Sequence, residues 1–339
     1  MEVIDRIGCK VYEISRFSDI RRIEEKWLNH IDTSIYNLTN TYDWFYSTWK
    51  SLSGVKKVKA LLIENSDGKL LSIIPLVFND LNNRIIVPTS IIPLMCKEQY
   101  EVCIGVLLDY MNSFHQGKDL FFEEIDFHFQ ESSRLVDFLE NNKIPFDMRI
   151  FQKTPVLKTS LNYQEYFENR KKKIKKALGN KRDRLNLIGD YHVREFQDSN
   201  EITIAMDKIH EVDSTSWKFE EESDMASREG QLVFYDSLAR RLAKNNAIKL
   251  RVLEFKETEE PIAFEYIINF DNHYLIAKHS YKEKYKKFSP GVILRNELLE
   301  SILTGSDVVV DTWGSLDPFK SIWCDEVVDR YSILIKNKN

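Results

Sequence analysis

The segment Tyr285-Lys286-Lys287-Phe288-Ser289-Pro290-Gly291-Val292-Ile293-Leu294 decides the fold. A strand pattern ends before it, a turn crosses, and a helix begins at Pro290. Proline suits the first helical position because its missing N–H would have no partner there. Gly291 lets a ligand come close to the backbone. Free N–H groups in a first helical turn, with the positive helix end, make an anion site. Ser289, Gly291, Val292 and Ile293 are therefore candidate anion-binding residues, with Lys286 and Lys287 adding charge. A plain helix start would read the same way.

Working outward, Ile248–Phe255, Ile262–Phe270 and His273–Tyr281 alternate as strands, with turns at Thr258–Pro261 and Asp271-Asn272. The helix runs on to Leu303. A strand follows at Asp307–Asp311, a short helix at Pro318–Trp323 and a last strand at Val327–Ile335. Upstream, Tyr191–Phe196 reads as a strand, and Glu201–Trp217 and Gly230–Asn245 as helices. The first half repeats this order. Its strands are Lys10–Phe17, Val58–Ile63, Leu70–Phe78, Arg84–Thr89, Glu124–His128 and one starting at Phe146. Its helices are Ile20–Ile31, Thr41–Ser51, Tyr100–Phe114 and 131–143. Between the halves, 162–188 reads as one long helix with an apolar stripe of Tyr163, Phe167, Ile174, Leu178, Leu185 and Ile188. Within it, 170–184 carries nine basic residues against one acidic residue, Asp183. The expected organisation is a duplicated α+β unit: domain 1–160, basic connector 161–190, domain 191–339.

Composition fits a soluble, well-packed chain. It has 339 residues, 43% hydrophobic and 30% charged, with 20 Phe, 15 Tyr and 6 Trp, which excludes disorder. A net charge of −5 excludes a generally basic nucleic-acid binder and leaves 170–184 as a local candidate. Cys9, Cys96, Cys103 and Cys324 show no metal-type spacing, so free thiols and no metal are expected. The opening MEVIDRIGCKVYEI has no apolar core, and no run is long enough to span a membrane. A cytoplasmic location follows as an expectation.

A second segment ends a strand in Asp311 and continues Thr312-Trp313-Gly314-Ser315-Leu316-Asp317-Pro318-Phe319-Lys320-Ser321-Ile322-Trp323. It sets two carboxylates and a lysine at a strand end. Asp317 there could equally cap its helix, and Lys320 could be an ordinary solvated lysine.

The order of elements in 191–335 resembles the GNAT acyltransferase fold. Ser289-Pro290-Gly291-Val292-Ile293-Leu294, with Asp311, Asp317-Pro318-Phe319-Lys320 and Trp323, resembles the CelD-like (BioF2-like) branch, which is related to the FemABX peptidyltransferases. Thr41-Tyr42-Asp43-Trp44 and Asn180-Lys181-Arg182 are similar to that branch too. The family's pyrophosphate loop is Q/R-x-x-G-x-G/A. Here it stands as Lys286-x-x-Ser289-x-Gly291, with Ser289 in place of the middle glycine. Pro93–Glu98, before the corresponding helix of the first half, has no glycine.

This resemblance implies two tandem GNAT-like domains, each a mixed twisted sheet flanked by helices. The first would have lost donor binding and would shape the acceptor cleft. The implied activity is N-acyl transfer from an acyl-CoA-type thioester to an amine of a sugar, an envelope precursor or a small metabolite. FemABX relatives use aminoacyl-tRNA, so a tRNA on 170–184 is the alternative donor, and the lost glycine admits a non-catalytic binding member.

Acyl transfer needs a held donor, a neutral amine, a stabilised oxyanion and a protonated leaving group. The resemblance gives the oxyanion to an N–H on strand 273–281 and the donor phosphates to residues 289–293. Candidate bases are Glu265, His279 and Asp311. Glu265 lies in the apolar strand Ala263-Phe264-Glu265-Tyr266, so facing inward it needs a partner or a raised pKa. His279 has a suitable ordinary pKa, though a lone strand histidine can be purely structural. Lys320 would stabilise donor phosphate or developing negative charge.

Overall fold

A computed structural model describes residues 2–6, 8–28, 41–54, 56–88, 94–95, 99–127 and 130–337. They form two compact units, Met1–Lys153 with Asp329–Asn339, and Thr154–Val328.

The first unit holds β1 (Glu2–Arg6), β2 (Cys9–Ile14), α1 (Glu24–Leu28), α2 (Tyr42–Leu52), β3 (Val58–Glu64), β4 (Leu70–Asn79), β5 (Arg84–Val87), β6 (Leu94–Met95), α3 (Tyr100–Phe114), β7 (Asp119–Asp126), α4 (Gln130–Asn141) and the start of β8 (Phe146–Thr159). Strands β1 to β5 pair antiparallel in sequence order, β6 lies on β4, and β7 runs parallel to β5 after the α3 crossover. Both faces of the sheet are buried, which is why β3 reads as an almost unbroken apolar run. Leu61 and Ile63 pack with Ile104, Leu107 and Met111 of α3. Ala60 and Leu62 pack with Tyr42, Phe45 and Trp49 of α2.

The second unit continues with α5 (Tyr163–Leu178), α6 (Lys181–Asn186), β9 (Tyr191–Phe196), α7 (Ile202–Asp213), α8 (Trp217–Glu220), α9 (Gln231–Leu242), β10 (Ile248–Phe255), β11 (Pro261–Phe270), β12 (His273–Tyr281), α10 (Pro290–Ile302), β13 (Val308–Asp311) and β14 (Glu326–Ile335). Its sheet repeats the plan of the first. Strands β9 to β12 are antiparallel, and β13 runs parallel to β12 after the α10 crossover. Alternation on β11 sends Tyr266 toward α9, where its hydroxyl donates to the Tyr235 carbonyl, and Ile267 into the cluster with Leu298 and Leu299 of α10.

The division differs from the expected one. Residues 154–159 of β8 pair antiparallel with β13, whereas the 330–335 part of β14 pairs with β7. A helix-connected unit ends in a strand that needs a neighbour, and here the neighbour is taken across sequence rather than within 1–160 or 191–339. Three local expectations also change. The patterning gave no sign of β1. The 162–188 helix breaks at Gly179, whose φ of 48° caps α5 before α6 starts at Lys181. Strand β7 begins at Asp119 rather than at Glu124. Residues 29–31, 89, 128 and 93–98 other than β6 fall outside the described residues, as does Cys96. Cys9, Cys103 and Cys324 are buried. No helix among the described residues is long and apolar enough to cross a membrane.

Candidate active site

Strands β12 and β13 pair only over His273–Leu275 and Val309–Asp311. From Ile276 onward β12 continues without β13, and Ala277 is bulged out of register against β11. The freed edge is met by side chains instead. The His279 carbonyl accepts from the Lys218 ammonium and the Ala277 carbonyl from the Tyr235 hydroxyl. Main-chain polar groups on a strand point alternately to its two edges, so residues 277 and 279 present theirs on this open side.

The two segments singled out in the sequence converge here on Phe319. Its ring lies 5.3 Å from the His279 ring and 5.4 Å from the Arg295 guanidinium. A Cβ on Gly291 would come within 3.9 Å of Phe319 and of Tyr281, an ordinary contact.

The turn before α10 is less open than expected. Ser289 N–H donates to the Lys286 carbonyl, and the Val292 and Ile293 amides donate to the Ser289 carbonyl. Pro290 has no N–H, which leaves Gly291 N–H without a partner among the described residues. The cause is Ser289, whose left-handed φ of 47° folds the chain back on itself. Its Oγ accepts from Lys181 Nζ at 2.5 Å. Lys286 pairs with Glu283, Lys287 lies over the Phe288 ring, and Arg184 lies over the same ring. Cationic side chains thus surround the turn, in place of a cradle of amides.

Glu265 does face inward, and its partners are already present. Oε1 accepts from Arg295 Nε at 2.5 Å and Oε2 from Arg251 Nη1 at 3.2 Å, all three residues being buried. Glu265 is the centre of a buried ion-pair triad with Arg251 and Arg295. Arg295 was not foreseen; its one signal is a charged residue after the apolar run Val292-Ile293-Leu294.

Lys320 is also committed. Its Nζ donates to the Trp313 carbonyl at 2.6 Å and the Ser315 carbonyl at 3.0 Å, with Asp317 at 3.9 Å. Burial pushes its pKa down against the pull of Asp317. The ammonium faces into its own loop, so it does not present charge to a donor phosphate as expected. Asp317 caps this turn through the Lys320 N–H at 2.7 Å. Asp311 Oδ1 accepts from the Trp313 N–H at 2.8 Å.

His279 is held neutral. Burial lowers its pKa well below the ordinary value, and Lys218, Arg295, Lys320 and Lys278 act in the same direction. Lys218 carried no sequence signal, since it lies just past the predicted helix Glu201–Trp217, in the one-turn helix α8. Cys324 is an inert thiol, its pKa pushed by burial up to about 12.

The family model described as Acetyltransferase (GNAT) domain matches residues 172–321, which include the first converging segment up to Leu294 and the second as far as Ser321. Residues 172–321 thus form a GNAT acetyltransferase domain. No curated protein matches its sequence. Solved structures extend the likeness to the whole chain. FemX is similar with a TM-score of 0.58 and 10% identity, covering 96% of this chain and 98% of that one. L-PGS from Bacillus licheniformis has a TM-score of 0.53 and 12% identity, covering 84% and 85%. A tandem GNAT protein from the clavulanic acid biosynthesis pathway has a TM-score of 0.50 and 9% identity, covering 95% and 98%. The likeness is one of fold: the chain is built from two tandem GNAT-like α+β units.

Proposed function

We propose that this enzyme transfers an acyl group from an acyl-CoA-type thioester to an amine, at the open edge of β12. The observation that carries this reading is the meeting of the Lys286–Gly291 turn and the Asp311–Trp323 segment at Phe319, beside the strand edge that β13 leaves free. A donor would lay its phosphates against Gly291 N–H and the cations Lys181, Arg184, Lys286 and Lys287. Its thioester would reach the N–H groups of 277 and 279, where a developing oxyanion gains most from fixed donors. Lys320 and Asp311 act in this reading as positioning residues, holding the 311–317 loop through the Trp313 and Ser315 contacts. His279 serves as a neutral wall packed at a tilt against Phe319.

The test is calorimetric titration with coenzyme A. Gly291→Asp should weaken binding at least about 100-fold, roughly 2.7 kcal/mol, because a carboxylate would stand beside the one open amide. Gly291→Ala should bind nearly as well as the parent, since its Cβ makes ordinary contacts. Absence of coenzyme A binding by the parent protein would remove the thioester reading.

A second donor, aminoacyl-tRNA, is favoured by one observation. Lys172, Lys173, Lys175 and Lys176 are exposed on α5. The other five basic residues of 170–184 are engaged: Arg170 by Asp325, Lys171 by Glu168, Lys181 by Ser289, Arg182 by Glu297, and Arg184 on Phe288. Charged tRNA held by the four free lysines should show a log–log salt slope of roughly −3 to −4. Changing all four to Glu should abolish that binding. Salt-independent binding, or none, excludes the tRNA donor.

A further inference from the structure

We infer that Lys218 is the proton acceptor for the attacking amine, its amino group held at the reacting edge of β12. This deepens the acyl-transfer reading above and rests on it.

The geometry carries the assignment. Lys218 Nζ donates to the His279 carbonyl, on the part of β12 that β13 does not cover. It therefore lies in line with the strand edge and not on either face of the sheet. Its own helix, α8, is anchored there: Ser216 bridges to Lys282 after β12, and the Ser216 hydroxyl caps Lys218 N–H. The groups acting on this amine are Lys278 from β12, Lys320 from the loop after β13, Arg228 before α9 and Asp213 from α7. Burial comes first among the causes, the three cations add to it, and Asp213 opposes; the pKa falls to about 7. Neutral amine is then abundant at neutral pH, as a general base requires.

The end of α7, which precedes α8, lines a recess. Asp213 lines a cavity of about 250 Å³ together with Ser214, Asp224, Met225 and Leu232. Its Oδ2 accepts from Met225 N–H, while Oδ1 is buried without a partner among the described residues.

The step balances as follows. Lys218 takes one proton from the acceptor ammonium, and the freed nitrogen attacks the thioester carbon. The C–N bond forms and the C–S bond breaks. The leaving thiolate takes the proton back from Lys218, and the second proton leaves the new amide nitrogen to solvent. The products are amide, free thiol and one proton.

The first test is independent of donor and acceptor. The intact chain is labelled with trace acetic anhydride across the neutral and alkaline range, and each lysine is followed by peptide mass spectrometry. Lys218 should be half-labelled near pH 7, against about 10.4 for an ordinary lysine. A Lys218 that stays unlabelled, or that titrates with the surface lysines, overturns the proposal.

The second test is kinetic, with acetyl-CoA and a simple primary amine. Lys218→Met should lower kcat roughly 100- to 10,000-fold, leave KM for acetyl-CoA little changed, and remove the acid limb of the pH profile. Lys218→Arg should not rescue, because a guanidinium stays protonated; rescue would show that only the charge matters and overturn the base role. If the parent protein labels as expected yet never consumes acetyl-CoA, the thioester reading falls and takes the proton-acceptor assignment with it, whereas an active parent whose Lys218 fails to label near pH 7 overturns the assignment alone.

Discussion

Glu265→Ala is expected to destabilise the second unit by roughly 3–5 kcal/mol, the cost of leaving a buried charge uncompensated. Two guanidiniums converge on this carboxylate inside the sheet. Arg251 would keep the Leu294 carbonyl at 3.0 Å and Glu195 at 3.4 Å. Arg295 would keep only its place over the Phe319 ring, because its Nη1 and Nη2 lack hydrogen-bond partners among the described residues and only Nε is paired. For a unit of this size the loss corresponds to a melting-point fall of roughly 6–20 °C, readable by calorimetry. Replacing the whole triad with apolar residues (Arg251→Met, Glu265→Leu and Arg295→Met together) should be far milder than Glu265→Ala alone, because no orphan charge remains. A single Glu265→Ala change that shifts melting by less than about 3 °C would show that the triad is solvated in practice.

The second large effect is expected at Lys320. Its ammonium ties the Trp313 and Ser315 carbonyls, and so holds Trp313 and Gly314 at φ of 28° and 80°. Left-handed backbone at a tryptophan costs of order 1–3 kcal/mol and persists only when neighbours enforce it. Lys320→Met removes that enforcement. Turnover should fall roughly 100-fold, the usual consequence of misplacing a reacting group by about 1 Å. Hydrogen exchange of residues 312–317 should quicken in parallel. Lys320→Arg should fail to rescue, since Gly314 already leaves only 3.2 Å between an added Cβ and Nζ. Gly314→Ala should reproduce part of the defect by crowding the same ammonium. A kcat loss without faster exchange in the loop would mean that Lys320 acts directly on the reacting charge.

Much of the fold was legible because local rules coincide with it. Strands β9, β10 and β12 and helix α3 run between the residues their patterning predicted. Alternation, turn residues and a clear 3.6 period all act within a few positions of the chain. The misses have local causes too. Gly179 ended a helix whose apolar stripe continued past it, and the mostly polar β1 gave no alternation to read.

The site was half legible. Pro290, Gly291, Asp311 and Lys320 were found as motif residues because strand ends and helix starts are written in sequence. Their partners were not. Whether Glu265 is a base or a bridge depends on Arg251 and Arg295, which stand 14 and 30 positions away in sequence. Whether the 289–293 amides are open depends on one left-handed φ at Ser289.

The amino-acid order by itself determined most of the elements, the duplicated α+β plan and the two segments that meet at Phe319, since each of these is a matter of neighbours along the chain. Only the tertiary structure decided which strand completes each sheet, which charges cancel, and that a lysine from a one-turn helix stands at the open edge of β12. Those outcomes depend on burial and on electrostatic partners brought together through space, and no short stretch of sequence encodes either.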